Sequence, residues 1–131
     1  MVDENGKATL QWIPFLNQAF TGDAGTSWNP NFTSLTEVGG APTITAVYYR
    51  LNTSLVYFRI TIVPVTNTSS TAGVTYCDFP LTMTADGACD AVSGLLAATP
   101  GMCDSASNRI YVPAWTTVTV PLTITGIVEA S

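Results

Sequence analysis

Apolar and polar positions alternate with a period of two over much of the chain. In VYFRITI (56–62), Val56, Phe58, Ile60 and Ile62 fall on one face, and Tyr57, Arg59 and Thr61 on the other. In TTVTVPLTITGIV (116–128), Val118, Val120, Leu122 and Ile124 alternate with Thr117, Thr119, Thr123 and Thr125. This period marks antiparallel strands with one face on a core. Strands are expected near 8–13, 43–51, 54–63, 72–78, 93–98, 108–113 and 116–128, with a weaker one near 32–37. Turn chemistry separates them at Gly22 to Gly25, Gly39-Gly40, Asn67 to Ser70, Asp86-Gly87 and Asp104 to Asn108. Pro121 sits inside a strand pattern; proline cannot donate to a ladder, so an edge or a bulge is expected there. The best helix candidate, CDAVSGLLAAT (89–99), is interrupted by Gly94 and β-branched residues, and no segment makes a convincing helix. About seven or eight short strands with regular turns predict an all-β fold, an antiparallel β-sandwich of jelly-roll type. The 131 residues fit one domain. Residues 10–131 are read as that domain, and 1–9 as a polar arm or a remnant left where a longer chain was cut.

The segment AVYYRLNTSLVYFRITI (46–62) reads as a hairpin. A two-residue turn at Asn52-Thr53, or a four-residue loop over 51–54, sets Tyr49 opposite Val56, Val47 opposite Phe58 and Tyr48 opposite Tyr57. Val47, Tyr49, Val56, Phe58 and Ile60 then share the core face, and Tyr48, Arg50, Tyr57 and Arg59 the other. A three-residue loop breaks this parity. Tyrosine and arginine are enriched in protein interfaces, and arginine stacks on tyrosine rings. The Tyr48, Arg50, Tyr57, Arg59 face is therefore expected to meet a neighbouring subunit; the alternative is an ordinary exposed cross-strand ladder.

Composition sharpens this picture. Hydrophobic residues make up 47% and charged residues 10% of the chain, against about 25% charged in typical soluble domains. So few charges favour association, which suggests that sister subunits cover much of the surface. The net charge is −5, against a nucleic-acid footprint. No apolar run approaches the ~20 residues of a membrane helix, and MVDENGKATL holds no apolar signal-peptide core.

Candidate chemistry is sparse. With no histidine, Ser-His-Asp and Cys-His nucleophile pairs are excluded. Cys77, Cys89 and Cys103 leave an odd thiol and match no zinc spacing; reduced, partly buried thiols are expected. DGACD (86–90) holds two acids but lacks the ligand series of a calcium loop, so its aspartates read as turn formers. No metal or other cofactor is implied, and no enzymatic activity is expected. Three Asn-x-Ser/Thr matches, at Asn31, Asn52 and Asn67, matter only in a eukaryotic secreted chain. Trp28 with Asn29 in TSWNPNFT, and Trp115 in VPAWTTV, could serve as sugar platforms for a receptor; packing is the competing role for each tryptophan. Trp12 reads as core.

The order of features resembles the small β-sandwich domains that end phage tail fibres and related virion fibre proteins. It runs from WIPF (12–15) through AVYYRLN, VYFRITI, the polar spacer VPVTNTSSTAG and VTYCDFPLTM to NRIYVPAW and VTVPLTITGIV. It covers roughly residues 10–128 and departs from the pattern at Cys77-Asp78-Phe79-Pro80, where Leu-Pro is usual, and in the Tyr48–Val56 turn, which lacks a tight glycine. The resemblance implies a homotrimer at a fibre tip or on the virion surface, assembled in the host cytoplasm. It also implies attachment to a host receptor, often a glycan, through distal loops, and no catalysis. Two alternatives are a carbohydrate-binding module of a secreted protein and an architectural virion part such as a head fibre, collar or baseplate piece.

Overall fold

The computed structural model describes residues 24–94 and 100–131. The expected strand at 8–13, the 1–9 arm, Trp12 and most of the expected 93–98 strand lie outside the described residues. The described chain is all-β and antiparallel, as the alternation predicts. It is cut more finely than expected, into twelve short strands: β1 Thr26–Trp28, β2 Phe32–Thr33, β3 Thr36–Val38, β4 Thr43–Arg50, β5 Leu55–Val63, β6 Asn67–Ser70, β7 Tyr76–Asp78, β8 Gly87–Val92, β9 Gly101–Asp104, β10 Arg109–Tyr111, β11 Trp115–Val118 and β12 Leu122–Glu129. Nine of them form one sheet in the order β1-β4-β5-β12-β8-β9-β10-β7-β2, and β11-β6-β3 form a second.

The large sheet is strongly curled, and the chain itself requires this. β1 and β2 lie at opposite ends of the strand order, yet only Asn29, Pro30 and Asn31 separate them. Four residue steps span at most about 14 Å, so the two edges must approach each other. Phe79, just past β7, fills the closure. Its ring lies 5.8 Å from Trp28 of β1, 6.4 Å from Tyr48 of β4 and 5.7 Å from Phe58 of β5. Asn108, in the left-handed region at φ 59°, ties the loop after β7 to the β9–β10 turn. Its amide donates to the Phe79 and Leu81 carbonyls (3.0 and 2.8 Å), and its oxygen accepts from the Met83 amide (2.8 Å).

Val56, Phe58, Ile60 and Ile62 of β5 and Leu122, Ile124 and Val128 of β12 form the middle of the core. Between Ile124 and Val128, Gly126 is needed because a Cβ there would meet the Phe58 ring at 2.7 Å. The apolar row over 118–124 does not continue as one strand. Val118 and Leu122 are buried, but Val120 is exposed, because the chain leaves the small sheet after β11 and enters the large one at β12. Pro121 sits at that break, where no ladder bond is lost. β6, expected as a turn, is the central strand of the small sheet. There Thr68 is buried beneath Trp115, whose Nε1–H donates to the Thr68 carbonyl (3.0 Å) and hydroxyl (3.3 Å).

Candidate functional site

The site expected on the β4–β5 hairpin depends on loop parity, and the parity is odd. Asn52 Oδ1 accepts from the Ser54 and Leu55 amides at 2.8 Å each, and the Leu51 amide donates to the Leu55 carbonyl at 2.8 Å. Asn52 to Ser54 thus make a three-residue loop, and every pair slips by one from the expected register. Tyr48 faces Phe58, Tyr49 faces Tyr57, Val47 faces Arg59 and Arg50 faces Val56. The grouping Tyr48, Arg50, Tyr57, Arg59 is therefore corrected. Tyr48 turns inward to the aromatic cluster around Phe79. Arg50 shares Tyr48's side at the exposed end of β4. Tyr57 and Arg59 keep the outer face and are joined there by Val47 and Tyr49, with the Tyr49 and Tyr57 rings 6.0 Å apart.

The outer face continues beyond β5. β12 sets Ile127 opposite Tyr57, Thr125 opposite Arg59 and Thr123 opposite Thr61. On its far side Thr125 faces Asp90 and Thr123 faces Val92 of β8. One row thus reads Ser27, Val47, Arg59, Thr125, Asp90 across five strands. Beside it runs an apolar and aromatic row. Tyr49, Tyr57 and Ile127 lie at one end, and Ala88, Met102, Tyr111 and Tyr76 at the other. Val92, Met102 and Ile127 are about half exposed, at 58, 48 and 53%. Two open hollows lie along these rows. One, of about 440 Å³, is lined by Tyr57, Ala88, Asp90, Thr125, Gly126 and Ile127. The other, of about 230 Å³, is lined by Ser27, Thr45, Ala46, Val47, Arg59 and Thr61.

A tyrosine and arginine cluster that the sequence did not reveal closes the far edge. The Tyr76 and Tyr111 rings pack at a tilt with centroids 5.4 Å apart, and the Arg109 guanidinium lies 4.0 Å over Tyr76 and 3.9 Å from Asp78. The Tyr111 hydroxyl holds the Arg109 guanidinium firmly charged. The alternation Tyr76-x-Asp78 and Arg109-x-Tyr111 was visible, but their pairing is a long-range fact of topology. Below this cluster, a third hollow of about 430 Å³ is lined by Gly73, Gly101, Met102, Asp104 and Tyr111 among others.

The tryptophan platform is not assembled. Trp115 is 3% exposed and is corrected from sugar platform to core, since its ring bridges the small sheet to the interior. Trp28 is half-buried against Tyr48 (6.0 Å) and Phe79. Asn29 is exposed in the short crossing from β1 to β2.

The acids act locally. Asp86 accepts from the Ser105 amide and hydroxyl at 2.8 Å each, which lowers its pKa below the usual aspartate range. Asp104 accepts from the Ala106 amide and the Ser107 hydroxyl, closing the β9–β10 turn. Among the described residues, no group of three or more Cys, Asp and Glu could hold a metal. Cys77, Cys89 and Cys103 are free and buried. Burial pushes the Cys77 thiol far up; the hydrogen bond with Cys103, then burial, does the same to Cys89. Such thiols are poor nucleophiles and poor metal ligands.

No family model, no curated protein and no solved structure matches the chain.

Proposed function

We propose that this chain is a non-catalytic β-sandwich domain of a phage virion fibre, which assembles with copies of itself as a homotrimer and presents its loops to a receptor on the host surface. The observation that carries the reading is the open outer face of β4, β5, β12 and β8. It exposes Ile127 beside Tyr49 and Tyr57, and Val92 on the far side of the Arg59–Thr125–Asp90 row, in a chain with only 10% charged residues. Tyrosine and aliphatic side chains on a sparsely charged face suit protein contact. The motif order from AVYYRLN to VTVPLTITGIV supplies the fibre context. Receptor contact then falls to exposed loops such as the one holding Asn29, with Trp28 beside it. An architectural place in the virion is the nearest variant of the same reading.

The test is retention of labelled protein by a panel of bacterial cells. Saturable retention that is lost when surface polysaccharide is stripped supports attachment. Absence of saturable retention from every strain contradicts attachment and leaves the architectural variant. One observation favours a carbohydrate-binding module instead: the hollow that both Tyr111 and Asp104 line. On that reading, Tyr111→Ala abolishes glycan binding by a protein that stays monomeric.

A further inference from the structure

Arg59 and Asp90 stand on the two strands that flank β12, each directly opposite Thr125. Two strand spacings separate them, about 9.5 Å. Both side chains are exposed. Among the described residues neither has an ion-pair partner, whereas Arg109 is paired with Asp78. Arg59 is one of only four basic residues in the chain, and it stands in mid-sheet among threonine, tyrosine and valine. Each charge borders a different hollow. Arg59 lines the one of about 230 Å³, and Asp90 lines the one of about 440 Å³ with the exposed Ile127 beside it.

We infer that this face is the contact between copies of the chain, with β12 nearest the rotation axis and Arg59 of each copy paired with Asp90 of the next. The inference rests on the self-assembling reading above and names its contact. The argument is one of self-complementarity. Arg59 and Asp90 lie on opposite sides of β12, so rotation about an axis parallel to β12 sets Arg59 of each copy against Asp90 of the next. Glu129, outward at the exposed end of β12, is a like charge that the same axis brings nearer its copies. A partner of a single sign would gain one attraction and one repulsion from the same pair. Thr125 between the charges is small and neutral, so close approach costs little desolvation. Ile127 supplies apolar surface at the same place, and the flanking hollows leave room for a neighbour's side chains.

The experiment is charge reversal with rescue, read by sedimentation of the full chain. Arg59→Glu and Asp90→Arg each weaken association by about tenfold or more, while the doubly reversed protein recovers the wild-type mass. Circular dichroism of each variant verifies that it is folded, which surface substitutions at these exposed sites permit. If the wild type assembles and the single variants keep its mass, or the double variant fails to recover it, the Arg59–Asp90 contact is overturned and the assembly reading stands. If the wild type sediments as one chain, both fall.

Discussion

Trp115 is the residue on which sequence and structure part most sharply. Its neighbours Pro113, Ala114 and Thr116 give it the look of a loop aromatic, yet its indole is buried in the core and hydrogen-bonded to Thr68 of β6. Trp115→Ala should cost about 3–5 kcal/mol, the range for large aromatic truncations in cores. The check is a lower urea midpoint with an unchanged slope. Asn108 is a second such residue. Asn108→Ala leaves the Phe79 and Leu81 carbonyls and the Met83 amide without their partner, at about 1–3 kcal/mol for each group that water does not reach. The thiols give a pH prediction. Cys77 and Cys89 have raised pKa values in the fold, so the unfolded chain releases their protons first as pH rises. Their contribution is complete below the ordinary thiol value of about 8.5 and is lost progressively above it. Thermal midpoints should therefore fall from about pH 9 upward, less steeply in a Cys77→Ala variant. A thiol reagent at pH 8 should label none of the three cysteines until the protein is denatured.

Elements of the fold were legible where side chains are large. β5 and β12 show their inward row as Val, Phe, Ile and Leu; β5 was read from alternation alone, and β12 only as the second half of a single strand expected over 116–128. β8 and β9 were hidden because their inward residues are Cys89, Ala91 and Cys103 and their first residues are glycines, so little hydrophobic contrast marks them. Gly101 is nevertheless required, since a Cβ there would crowd the Tyr111 carbonyl oxygen and meet Cys89 Sγ at 2.7 Å. β6 was hidden because Asn67-Thr68-Ser69-Ser70 has turn chemistry and becomes a strand only through β3 and β11 on either side. The candidate face was half legible. Tyr57 and Arg59 were placed outward correctly from the period of β5. Their partners on β4 were not, because a single residue of loop length decides which face β4 presents. That length is held by the Asn52 side chain, whose acceptor bonds from the Ser54 amide and hydroxyl and the Leu55 amide replace the glycine of a tighter turn. Asn52→Ala should cost about 1 kcal/mol, since water takes up part of what is lost at this exposed site. It should be seen as faster amide exchange at Ser54 and Leu55.

At the scale of the whole molecule, the curl of the nine-stranded sheet divides the chain into an inside and an outside. The inside holds the aromatic cluster around Phe79, the thiols and the β5–β12 core. The outside face of β5, β12 and β8 combines low charge, exposed Ile127 and Val92, and one opposite-charge pair split across β12. Salt should weaken any assembly held partly by that pair, because exposed charges are screened within about 8–10 Å at physiological ionic strength. The apolar part of the contact should persist. The most direct measurement is the native mass of the purified chain by light scattering at low and high salt. The account predicts a mass near three times the 13.8 kDa of one chain, shifting toward smaller species as salt rises at low protein concentration. A mass of one chain at every concentration would contradict it.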